Sequence, residues 1–200
     1  MSGARGILEG GPIAKGPPGV NAEKGLSGMR VRAATMDDLP ALTRLMNLAI
    51  GENLKPFLSS AQIEASHAVM GVDTALIEDG TYFVVEIEQA LAGCGGWSRR
   101  KTMYGGDHTH GRDAARLDPS REPARVRAMY THPDFTRRGV GRKILEMCEE
   151  AAAAEGFSEL ALVATLGGEP LYLSYGFTEI ERFVDAGVPL VRMGKLISKP

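Results

Sequence analysis

Thr136-Arg137-Arg138-Gly139-Val140-Gly141, continued by Arg142-Lys143-Ile144-Leu145, decides how the rest of the chain is read. The first turn of a helix carries backbone N–H groups that have no partner inside the helix and point one way, so it favours an anion. Gly139 and Gly141 remove two Cβ atoms from that turn and let the main chain approach closely, while Arg137, Arg138 and Arg142 add charged donors around it. The following helix is amphipathic. Val140, Ile144, Met147, Cys148 and Ala151 form its expected buried stripe, Glu146, Glu149, Glu150 and Glu155 face outward, and Gly156 closes it. Turns before helices also use glycine for steric reasons alone, so the motif needs its context. No Gly-Lys-Ser/Thr follows, which excludes a P-loop, and the glycine spacing and lack of a downstream ribose-binding acid do not fit a dinucleotide fingerprint.

Outward from this turn, residues 125–131 read as a strand and residues 157–165 as the strand after the helix. A short helix over residues 169–175 ends at Gly176, and residues 177–183 and 188–197 read as two final strands. Towards the N-terminus, residues 80–88 and 90–98 form an expected hairpin, rich in β-branched and aromatic residues in its first arm. Arg30-Val31-Arg32-Ala33 alternates like a strand. Thr35 with Asp37-Asp38 signals a helix start, and Leu39, Leu42, Leu45, Met46 and Ala49 share one face of a helix running to Asn53. A second helix covers residues 60–70, and the polar residues 104–123 form a long loop of the kind that carries recognition. The order predicts an α+β fold with a mixed, mostly antiparallel sheet flanked by helices.

Composition sets the outer bounds. The chain has 200 residues, 44% hydrophobic and 24% charged, with a formal net charge of −2, which suits one domain with a real core and gives nucleic acid no electrostatic pull. Residues 1–28 hold eight glycines and three prolines and read as a disordered extension, so the expected domain spans residues 29–198. No stretch reaches the ~20 apolar residues of a membrane span, and the N-terminus has no apolar signal-peptide core. Cys94 and Cys148 sit in apolar, patterned stretches and read as free buried thiols, in keeping with a reducing cytoplasm. A homodimer is left open.

The window 136–141 resembles the acetyl-CoA signature of the GNAT superfamily of N-acetyltransferases, in which Gln or Arg is followed by two residues, Gly, one residue, then Gly or Ala. The resemblance extends to His132-Pro133-Asp134-Phe135 before it and to the order of elements from Arg30 to Ile197. Thr136 stands where the family prefers Gln or Arg, a departure that leaves the backbone amides untouched. The resemblance implies a V-shaped splay between central strands. It also implies acetyl-CoA as co-substrate without a metal, and direct acetyl transfer to a primary amine of a small molecule or protein in a ternary complex. Pyrophosphate would rest on Arg137, Arg138, Gly139, Val140, Gly141 and Arg142, and the pantetheine arm and oxyanion on the backbone of Met129, Tyr130 and Thr131.

By the same resemblance Tyr172, four residues before Gly176-Phe177, is the expected acid for the departing thiolate. A phenol with a pKa near ~10 stays protonated at neutral pH and can donate to a thiolate whose conjugate acid lies near ~8.5. The general base stays open among Glu86, Glu88, Asp107, His108, His132 and Glu169. Trp97 and Arg127 are acceptor-site candidates, because positive charge at Arg99, Arg100, Arg125 and Arg127 would suit an acceptor bearing a carboxylate or phosphate; a solvated basic edge strand with one core tryptophan is the plainer reading. Asp107, His108 and His110 lack the further spaced ligands of a metal site. A catalytically silent acyl-CoA sensor is the alternative function.

Overall fold

The computed structural model describes residues 28–197; the glycine- and proline-rich segment expected to be disordered lies, apart from Gly28, outside the described residues. Strand β1 (Met29–Ala33) enters a 3₁₀ turn at Met36–Asp38, where Thr35 and Asp38 bond reciprocally as a capping box, and continues as α1 (Leu39–Asn53). Helix α2 (Ser60–Val69) is likewise capped by Ser59 and Gln62. A further helix, α3 (Thr74–Glu78), lies between it and β2 (Tyr82–Ile87) and is absent from the sequence expectation, since five residues are too short for a periodic apolar face.

Then follow β3 (Ala90–Ser98), β4 (Ala124–Thr131), α4 (Val140–Ala154), β5 (Glu159–Thr165), α5 (Glu169–Ser174), β6 (Thr178–Asp185) and β7 (Val188–Leu196). The seven strands form one sheet in the order β1-β2-β3-β4-β5-β7-β6, and only the β4–β5 pair is parallel. β3 and β4 are therefore central, and Arg125 and Arg127 of β4 do not belong to an edge strand.

Each sheet face buries a separate core. On one, Ile144, Leu145 and Cys148 of α4 pack with Trp97, Val126 and Leu162; on the other, Leu42, Ile50 and Leu76 pack with Tyr82, Val84 and Leu190. The stripe on α4 runs through Val140, Ile144, Leu145, Cys148 and Ala152, with Met147 and Ala151 only half-buried at its margin. Glu146 and Glu149 are also half-buried and not turned to solvent: the first is engaged by Lys143 and the second by Lys195.

Two features open the sheet. Between Cys94 and Gly96 the β3–β4 register shifts, so that Ala128 and Met129 together oppose Gly95; Ala128 takes a φ of 51° in this bulge. The displaced Ala128 carbonyl accepts a hydrogen bond from the buried Tyr82 hydroxyl at 2.7 Å, which compensates a conformation that L-residues seldom adopt. Beyond this, β4 and β5 pair only at Ala124–Leu160 and Arg125–Ala161 and then diverge. The backbone of β4 from Val126 onward is thus released from β5, and a cleft crosses the sheet there.

Candidate active site

One wall of the cleft is β4 from Val126 to Tyr130, and the opposite wall is Val163 and Thr165 of β5 with Leu190 of β7. Tyr172 lines it at the α5 end, and Met70, Gly71, Met103, Tyr104 and Gly105 line it at the end covered by the loops after α2 and β3. Met129, Tyr130 and Tyr172 therefore share one cleft. Thr131 is the last residue of β4, and its carbonyl accepts from the side-chain amide of Asn53 at 2.8 Å, which ties the end of α1 to this strand.

The main chain from Thr131 into α4 is shaped by local caps. His132 Nδ1 accepts from the Asp134 backbone N–H at 3.2 Å, and Pro133 opens a 3₁₀ turn that ends at Phe135. That makes His132 the cap of this turn. Thr136 donates its hydroxyl back to the Pro133 carbonyl at 3.0 Å, so its side chain serves the turn. Arg137 and Gly139 both adopt positive φ, 61° and 84°, in the turn that leads into α4, the type of backbone turn from which anion-binding nests are made. Gly139 is the N-cap of α4.

The side chains around that nest divide. Arg137 and Arg138 are exposed, Arg138 lying over the Phe135 ring at 5.1 Å. Arg142 is drawn towards α5: it donates to the Ser174 carbonyl at 3.2 Å and lies over the Tyr175 ring. Val140 buries its side chain in the core, so only its backbone is available to an anion. A Cβ on Gly141 would stand 2.6 Å from Leu171 Cδ2, so this glycine also lets α5 approach α4 and set Tyr172 in place.

Tyr172 is 9% exposed and stacks edge-on against Phe177 with ring centroids 5.9 Å apart. Burial first, and then the neighbouring Cys148, push its phenol well above the ordinary range. It is therefore protonated at neutral pH. Both cysteines are buried and free, and burial pushes the Cys94 thiol up to about 12. Neither is a nucleophile at neutral pH.

Trp97 does not reach the cleft. It is 1% exposed, packed edge-on against Phe157 in the α4-side core, and its acceptor assignment gives way to a packing role. Arg127 does line the cleft, but its guanidinium is committed: Nη1 lies 2.8 Å from the Asp73 carboxylate and Nη2 donates to the Gly105 carbonyl at 2.5 Å. Burial draws its pKa down against the raising effect of Asp73. Arg99 is paired with Glu155 at 3.0 Å and Arg100 with Asp79 at 2.6 Å, and the half-buried Arg125 does not line the cleft. A free positive field for a carboxylate or phosphate is thereby removed.

None of the six general-base candidates lines the cleft. Glu86 pairs with Arg32, Glu88 sits in the β2–β3 turn, Asp107 accepts from the Thr74 N–H, His108 lies 2.7 Å from the His67 carbonyl and Glu169 pairs with Arg182. Among the described residues no group of three or more His, Cys, Asp or Glu is placed to hold a metal.

Sequence reasoning missed Asp73, which is 1% exposed and binds Arg127, Arg112 at 2.6 Å and the Ala75 backbone N–H at 3.2 Å. It also missed Tyr104, whose hydroxyl donates to Asp185 at 2.7 Å across the cleft mouth. Asp73 before Thr74 carries a readable N-cap signal; its partners lie too far along the chain for any local pattern.

The acetyltransferase (GNAT) domain family matches residues 78–179, and the chain belongs to that family. No curated protein matches. Among solved structures, a GCN5-related N-acetyltransferase from Rhodopseudomonas palustris is similar at 17% identity and a TM-score of 0.63, over 88% of this chain and 99% of that one. An acetyltransferase from Salmonella typhimurium in complex with acetyl-CoA is similar at 19% identity and a TM-score of 0.59, over 87% and 96%. The PaiA N-acetyltransferase of Thermoplasma acidophilum in complex with coenzyme A is similar at 15% identity and a TM-score of 0.57, over 84% and 98%. The fold is that of GNAT acetyltransferases. Among the described residues no helix is long and apolar enough to cross a membrane.

Proposed function

We propose that this protein transfers the acetyl group of acetyl-CoA to a primary amine by direct attack in a ternary complex. The observation that carries the reading is that the released backbone of β4 and the buried phenol of Tyr172 border one cleft through the sheet, while the chain leaving β4 runs directly into the positive-φ turn that starts α4. The pyrophosphate rests on the backbone N–H groups at Gly139–Gly141, with Arg137 and Arg138 at its flank. Met129–Thr131 offer main-chain groups to the pantetheine amides and to the carbonyl oxygen as it gains charge.

The neutral amine attacks the thioester carbon, the C–N bond forms as the C–S bond breaks, and the nitrogen's proton leaves to solvent. Tyr172 gives its proton to the departing thiolate and is reprotonated from solvent. Tyr172→Phe tests the assignment: acetyl-CoA binding measured by calorimetry should persist while turnover, followed by thiol release, falls by about 100-fold.

The absence of an acid or imidazole from the cleft wall favours one rival, a silent acyl-CoA sensor. Tight CoA binding with no thiol release across an amine panel is the outcome that selects it. Residence in a reducing cytoplasm belongs to the same proposal and is supported by the two buried free thiols.

A further inference from the structure

The acceptor end of the cleft carries polar side chains, yet most of their hydrogen-bonding capacity is already committed within the protein. Arg127 is neutralised by Asp73 at 2.8 Å and bound to the Gly105 carbonyl, and its remaining Nε is sealed from solvent. The Tyr130 hydroxyl accepts from the Gly71 N–H at 3.1 Å and returns its proton to the Gly71 carbonyl at 3.3 Å. The Tyr104 hydroxyl is held by Asp185, and Thr165 Oγ1 accepts from the Gly168 N–H at 3.3 Å. No carboxylate or imidazole lines the cleft among the described residues. Between these groups stand Met70, Met103, Met129, Val163 and Leu190.

A charged group brought inside, past the Asp185 carboxylate that holds Tyr104, leaves water and meets no free countercharge among the lining side chains, which is among the costliest arrangements a binding site can impose. The thioether side chains, in contrast, mould around apolar groups of varied shape. We infer that the acceptor is a monoamine whose body is otherwise uncharged and carries an apolar side chain, such as an amino-acid amide, in preference to a free amino acid or a polyamine. The inference rests on the acetyltransferase reading and narrows its substrate class. It also reverses the expectation of a carboxylate- or phosphate-bearing acceptor, because the arginine that would have recognised one is paired from behind by a buried aspartate.

The test compares leucinamide, leucine and 1,5-diaminopentane in two ways: kcat/KM by thiol release at saturating acetyl-CoA, and calorimetric binding to the CoA-loaded protein. Leucinamide should lead both others by on the order of tenfold or more, since an unmatched charge is discriminated far more strongly than a methylene. Asp73→Asn frees the Arg127 charge and should move the ratio towards leucine. Met103→Glu adds an acid at a half-buried position and should move it towards the diamine, so the test survives if the first variant fails to fold. Leucine or the diamine matching leucinamide in the unaltered protein overturns the inference and leaves the acetyltransferase reading intact, as do charge variants that fold and shift neither ratio. If no amine releases thiol, the catalytic reading falls and calorimetry decides alone: selective leucinamide binding upholds the uncharged pocket, and equal or absent binding overturns it.

Discussion

On the acetyltransferase reading proposed above, the donor side of the site is made by main chain and the acceptor side by side chains. At the donor end the working groups are N–H bonds set by two left-handed residues and the start of one helix, all within residues 137–141. At the acceptor end a single buried carboxylate, Asp73, joins β4, the loop after α2 and the loop carrying Arg112, across 39 and 54 residues of chain. Main-chain geometry at the first end tolerates most side-chain changes. The second end depends on individual atoms that cannot be exchanged, because each buried charge there relies on its partner.

That contrast is sharpest for Asp73→Ala. Removing the carboxylate strands two arginines, one of them 4% exposed, and should destabilise the fold by about 3–5 kcal/mol in urea denaturation. A loss below 1 kcal/mol would mean the acceptor wall does not depend on the pair. Tyr172→Phe comes next: about 100-fold in kcat with little change in stability or in the calorimetric Kd for acetyl-CoA. At the donor end, Gly139→Ala places a Cβ in left-handed backbone at a φ of 84° and should cost roughly 1–2 kcal/mol of stability, with CoA affinity weakened alongside. The smallest effect is expected for Tyr104→Phe, which deletes one bond to Asp185 at about 1 kcal/mol. Its signature is a rise of a few fold in acceptor KM with the acetyl-CoA KM unmoved, a split that steady-state kinetics resolves.

The same contrast explains what could be read in the sequence. The glycine turn, α4 and its Gly156 stop are local, so periodicity and glycine placement are enough to read them, and the hairpin and the N-cap signal at Thr35 are legible for the same reason. Tyr172 came through resemblance, since a buried phenol and a packing tyrosine look alike in sequence. Charge and aromaticity say nothing of burial: Arg127 lines the cleft, but its pairing with Asp73 is long-range and invisible in sequence, and Trp97 packs in the α4-side core. The contact from Tyr104 to Asp185 spans 81 residues and leaves no local trace.

The bulge at Ala128 acts as a change of phase. In an unbroken strand, residues three apart face opposite ways, yet Arg127 and Tyr130 both reach the loop after α2, one at Asp73 and the other at Gly71. The extra residue inverts the alternation midway, so β4 presents Ala124 and Val126 to the α4 core before it and Tyr130 to the opposite core after it. Excising Ala128 would restore a regular ladder with Arg127 and Tyr130 still on one face, two residues apart, and would remove the displaced carbonyl that accepts from Tyr82. One inserted residue thus works as a hinge in the strand's parity, letting a single β-strand serve two chambers.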